Sequence, residues 1–315
     1  MNHPVIKAFV VAIVLGLFPV SSDAARTVLR LSQKDGVLQH YYDQPDTFPV
    51  CREKLDYITY NLAPDGLIRD DGKRLFKTRQ ATIEIFKGAG KKFTFTGEEV
   101  VDAIRSYEAV GLTVGVVIIY HENWLKLKGD GGPWKEDVRI LSPNELEKVR
   151  VAVAQSDLKS KKIVKLIQLM GARVAGHRGD SWNRVKKNPS LMRHLKNFDG
   201  VGIECHVGDH HETHRGKASD GPETLKCMAD ITKWCKQNRK ISLVFMGGGP
   251  PSYAHFDECK ETYDFLWRQM RLRRVDQADS HLLYFRQGAR RGKHLPEAST
   301  KTLTYQMKWL IDQVK

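Results

Sequence analysis

Eight short β-rich runs, most of them followed by a helical pattern, leave few architectures open to this chain. The runs are Thr27 to Leu31, Leu55 to Leu62, Lys92 to Phe95, Leu112 to Tyr120, Ile163 to Met170, Gly200 to His206, Ile241 to Met246 and Leu282 to Arg286. Several, LTVGVVIIY and ISLVFM among them, are continuously apolar, as strands covered on both faces of a parallel sheet are. Helical patterns fill the intervals near Lys73 to Lys87, Glu98 to Val110, Pro143 to Leu158, Ser190 to Asn197, Pro222 to Asn238, Phe256 to Arg273 and Pro296 to Val314. Thr96-Gly-Glu-Glu and Ser142-Pro-Asn-Glu carry helix-entry chemistry, and Gly111 stands where a helix gives way to a strand. This alternation predicts an α/β fold, a (β/α)8 TIM-type barrel with an irregular first unit, since Ser32 to Lys54 shows no helical pattern. A doubly wound open sheet is the runner-up, but no glycine-rich phosphate loop follows any of the runs.

The apolar stretch at the start is too short to span a bilayer. It runs from Ala8 to Phe18 after Lys7, against the roughly 20 residues a spanning helix needs, and Ser22 and Ala24 stand at −3 and −1 of a small-residue cleavage site. Residues 1–24 are expected to be a signal peptide, leaving 25–315 as one secreted or periplasmic domain without a membrane anchor. With 41% hydrophobic residues and only 5 Cys in 315, disorder and a disulfide-held miniprotein are both excluded. The odd cysteine count suggests buried thiols with at most one or two bridges. Cys227 and Cys235 lie eight apart on one expected helix, a rise of about 12 Å that no disulfide spans. No zinc-like spacing is present, and neither metal nor cofactor is expected.

In a barrel of this kind, chemistry sits just past the C-terminal ends of the strands. Glu204 ends a strand run inside FDGVGIECHVGDHHETH, and a carboxyl held in an apolar mouth keeps its proton to higher pH, which suits a general acid. Glu122 follows the most hydrophobic run and opens the loop HENWLKLKGDGGPW. Two carboxylates on different strands are what glycoside hydrolysis requires, one as acid and one as base or nucleophile. Trp124, Trp134, Trp182 and Tyr253 are candidate sugar platforms, and His121, His206 and Arg286 are candidate substrate contacts. A formal charge of +14 favours an anionic partner, with Arg178, Arg286, Arg290 and Arg291 placed to grip sulfate or carboxylate.

The run Phe198 to Glu204, FDGVGIE, resembles the strand that carries the catalytic acid in chitinase-like and other glycoside hydrolase barrels. The chitinase pattern places its catalytic Glu where this chain has His206, and an Asp where it has Gly202. The resemblance therefore implies a polysaccharide-active barrel and no particular family. His177-Arg178-Gly179, with the later Glu204-Cys205-His206, is similar to segments of glycerophosphodiester phosphodiesterases, which implies the alternative of a metal-dependent phosphodiesterase using His177, Arg178, Glu204 and His206. A carbohydrate-binding barrel without turnover is the non-enzymatic alternative. The reading adopted is a secreted glycoside hydrolase on an anionic polysaccharide, with Glu204 as proton donor, Glu122 as its partner carboxylate, and no nucleic-acid partner.

Overall fold

The structure is a computed structural model that describes residues 25–31, 36–60, 64, 66–69, 71–87, 96–121, 125–127, 134–136, 143–170, 181–187, 189–203, 221–245, 281–286 and 294–314. The expected signal segment, the third strand run at Lys92 to Phe95 and the helical pattern at Phe256 to Arg273 lie outside these residues. Among the described residues, no helix is long and apolar enough to cross a membrane.

The fold is α/β, built on a curled parallel sheet. Its strands are β1 (Arg26–Arg30), β2 (Tyr57–Tyr60), β3 (Gln80–Lys87), β4 (Thr113–His121), β7 (Lys165–Met170), β8 (Gly200–Ile203), β9 (Ile241–Phe245) and β10 (His281–Arg286). β5 (Leu125–Leu127) and β6 (Trp134–Glu136) form a small antiparallel hairpin in the connection after β4. In the main sheet the order β1-β10-β9-β8-β7-β4-β3-β2 returns to its first strand, because β1 pairs in parallel with both β10 and β2. Each strand of the ring thus has both edges hydrogen-bonded, which leaves no open edge to aggregate.

Closure sorts the side chains of each strand into two populations. Val28, Val116, Ile118, Ile167, Leu169 and Leu243 form an apolar cluster inside the ring, with Tyr57 and Ile241 against it. The alternate residues, Leu29, Ile83, Ile85, Val117, Ile119, Leu166, Met170, Val201 and Val244, face a larger outer core shared with the helices. On β8 the inward positions are glycines. A Cβ at Gly202 would stand 2.5 Å from the Leu243 carbonyl oxygen, closer than real Cβ atoms come. Gly202→Ala is expected to cost about 1–3 kcal/mol, because neither backbone can withdraw from a paired ladder. Urea denaturation of that variant checks this.

Helices cover the outside where the sequence patterns place them, with one exception. α3 (Gly97–Ala109) opens on a capping box: the Glu99 amide donates to Thr96 Oγ1 at 3.1 Å, and the Thr96 amide donates to Glu99 Oε2 at 2.9 Å. Gly111, at φ 75°, ends the same helix in the left-handed conformation that favours glycine. α4 (Pro143–Gln155), α6 (Pro189–Lys196), α7 (Gly221–Gln237) and α8 (Leu303–Val314) follow their patterns within a few residues, apart from the later start of α8. The exception is the helical pattern at Lys73 to Lys87, whose second half is strand β3. The first unit is irregular as expected, but it holds two short helices, α1 (Val37–Asp43) and α2 (Pro49–Lys54), where the pattern showed none. α5 (Ser181–Lys187) was equally unmarked.

Candidate functional site

Of the residues singled out by sequence, His121 and Arg286 stand at C-terminal strand ends. β4 ends at His121 and β8 at Ile203, so Glu122 and Glu204 are the next residues of the chain. Between these two strands lies β7, whose last residue, Met170, is in register with both His121 and Ile203. Arg286 is the last residue of β10 and is in register with Arg30, the last of β1. Trp134 opens β6 opposite Leu127, so the loop after β4 extends as a hairpin. Glu122, Glu204, Trp124, His206 and Tyr253 lie outside the described residues, as do Arg178, Arg290, Arg291 and the histidine-rich 206–214 segment.

Trp182 does not sit where a sugar platform would. It belongs to α5, only 4% of it is exposed, and its ring meets Trp234 edge to face at 5.9 Å and 77°. Its faces are taken up by the helix layer outside the ring, which corrects its assignment as a substrate contact. The buried side-chain amide of Gln168, on β7, donates to the carbonyls of Ile119 and Leu169, both at 3.1 Å.

The inner wall near the C-terminal end is polar where sequence reading had named nothing. Arg30 reaches across from β1 to Glu84 on β3, with Arg30 Nε 2.5 Å from Glu84 Oε2. Their side chains are 13% and 1% exposed. On the intervening wall, the hydroxyls of Thr59 and Thr82 are hydrogen-bonded to each other. The pair joins strands that are next but one in the ring, as residues of one interior layer are in barrels of the TIM type.

A second polar cluster lies outside the ring, where α2 meets the segment before α8. The Glu297 carboxylate accepts from the amides of Val50 at 2.9 Å and Cys51 at 3.1 Å, and the Cys51 thiol donates to the Thr304 carbonyl at 3.3 Å. Burial, with the Glu297 charge added, pushes the Cys51 thiol well above its ordinary range. Burial also lifts Cys235 to about 12, although the Val201 carbonyl lies against it. Both thiols are free, buried and held protonated, which makes them packing residues and not nucleophiles. Among the described residues, no three His, Cys, Asp or Glu side chains are grouped to hold a metal ion.

No protein-family model and no curated protein matches the chain. Among solved structures, it is similar to a Cellulomonas fimi endo-β-1,4-mannanase double mutant, with 12% identity over 91% of this chain and 70% of that one and a TM-score of 0.46. It is also similar to the catalytic domain of the Bacillus sp. JAMB-750 GH26 endo-β-1,4-mannanase, with 11% identity, 83% and 77% coverage and a TM-score of 0.45. An engineered structural-genomics target matches at 11% identity and a TM-score of 0.44, and there this chain spans 65% of the other's length. Glycoside hydrolases are thus among the neighbours of this fold, and no particular family follows from them.

Proposed function

We propose that residues 25–315 form one complete (β/α)8 barrel, exported after removal of residues 1–24, that hydrolyses glycosidic bonds in a polysaccharide. One observation carries this reading: Met170 is in register with the residues that immediately precede Glu122 and Glu204. Two strand spacings separate β4 from β8, about 9.6 Å between backbones. Side chains leaning toward one another from that distance reach the roughly 5 to 9.5 Å carboxyl separations used by retaining and inverting glycosidases. Glu204 is the proton donor and Glu122 the base or nucleophile. Alternation along β8 supports the first role, since Gly202 lies on the inner face and Glu204 is two residues further on. Trp124, Trp134 and Tyr253 offer flat faces to sugar rings, and His121, His206 and Arg286 contact the substrate. The +14 charge favours an acidic polymer.

The test is release of new reducing ends from a panel of neutral and acidic polysaccharides by the mature chain, before and after EDTA. Hydrolysis that survives chelation is expected, because two carboxylates need no metal. Activity lost to EDTA and restored by a divalent ion would transfer the site to metal-dependent phosphodiester cleavage by His177, Arg178, Glu204 and His206. Edman sequencing of the exported protein should start at Ala25, and an intact Met1 in a membrane fraction would show an anchor instead.

A further inference from the structure

We propose that Arg30, held by Glu84, is the residue that recognises a sugar carboxylate, so that the substrate is a uronate-containing polysaccharide. This rests on the glycosidase reading and names the substrate class of that same site. Three features of the inner wall carry it.

The first is the way the guanidinium is held. Glu84 engages it on the Nε side, and that nitrogen is shut off from solvent without a hydrogen bond of ordinary angle. The terminal nitrogens, which form the other donor edge of the fork, make no bond to any described residue. A guanidinium fixed along one edge presents the opposite edge as a planar pair of donors, the shape that matches the two oxygens of a carboxylate.

The second feature is position. Arg30 ends β1, at the end of the ring where the chain after β4 and after β8 supplies Glu122 and Glu204. It keeps 13% of its side chain exposed while Glu84 keeps only 1%, so the cation is the more accessible member of the pair. The third is charge. Arg286 occupies the register position beside Arg30, one strand spacing away, so two basic residues end neighbouring strands here. Like charges at neighbouring positions repel, and an anion bound between them relieves that repulsion. A buried ion pair by itself adds little over apolar packing, so stability alone is a weak reason for placing one here.

The experiment measures binding of trigalacturonate and of its uncharged methyl ester by calorimetry, using Glu204→Gln protein so that no turnover intervenes. The acid is expected to bind at least about 10-fold tighter than the ester, a preference that fades as salt is raised. Arg30→Gln alone strands the Glu84 charge in the wall and is prone to unfold, so the informative variant is Arg30→Gln with Glu84→Gln, which keeps both volumes and removes both charges. That variant, folded by thermal melt, should bind acid and ester alike. Preference for the acid undiminished in it, or acid and ester bound equally by the parent, overturns the assignment of Arg30. Hydrolysis of neutral polymers with no such preference leaves the glycosidase reading standing and removes only this one. Failure to bind or cleave any glycan removes both.

Discussion

Replacing Glu204 with Gln is expected to lower polysaccharide turnover by roughly 10²-fold or more, the usual scale of a lost general acid. Gln keeps the shape of the side chain and its reach for hydrogen bonds but has no proton to give to the leaving oxygen. Glycan affinity should change little, since the lost interaction belongs to the transition state and not to the bound ground state. The melting temperature should hold as well, and that readout gives the experiment its force. A Glu204 whose business is to balance a buried arginine would behave in the opposite way: its amide would leave the cation uncompensated, at a cost of about 3–5 kcal/mol, with no selective loss of rate. Stable, binding-competent Glu204→Gln protein with near wild-type turnover would end the proton-donor assignment. The parallel Glu122→Gln variant should also lose turnover, and for a retaining enzyme it should lose the ability to form the covalent intermediate.

Legibility of the fold tracked how each strand meets its surroundings. β4, β7 and β9 lie between two apolar layers, so most of their residues are apolar and the runs stand out against any helical period. β3 is different. Its outward residues Ala81, Ile83 and Ile85 sit in the outer core, whereas inward Thr82 and Glu84 belong to the polar wall. That half-apolar, half-charged composition, beside Leu75 and Phe76, imitates the two faces of an amphipathic helix, and the alternation was hidden within it. The same misreading concealed Glu84. Arg30 escaped notice for a related reason: a charged residue at the end of RTVLR reads as strand punctuation until closure of the ring shows which way it faces. The strand-end rule did lead to His121 and Arg286, the residues where β4 and β10 finish. Trp182 shows the limit of composition. An aromatic among Gly, Arg and Asp residues reads as a loop platform, yet a two-turn helix carries it into the core beside Trp234.

Two buried histidines make stability fall steeply below neutral pH. His194 on α6 meets Phe198 edge to face at 5.2 Å, and His294 before α8 stands edge-on to Tyr41 at 5.9 Å. Burial lowers both from 6.5 to about 4, with the nearby His40 charge adding to the effect at His294. Their folded pKa is depressed, so between pH 6.5 and 4 the unfolded chain binds protons that the native chain refuses, and stability drops as pH falls through that window. Each ring accounts for about 2 kcal/mol lost by pH 5 and about 3 by pH 4. Ordinary carboxylates titrate mostly below pH 5, so the decline from 6.5 to 5 belongs to the histidines. Melting temperature should fall across that interval, and His194→Leu should remove about half of the dependence. Equal melting temperatures at pH 7.5 and 5 would refute the assignment. The consequence reaches the chemistry, because a proton donor has to be protonated at a pH where the barrel stands. An ordinary glutamic acid, near 4.3, would be ionised throughout the stable range, so the role of Glu204 as donor requires a carboxyl that keeps its proton to higher pH. The alkaline limb of the kcat/KM profile is therefore expected at or above pH 6, and a limb near pH 4.5 would separate Glu204 from that role.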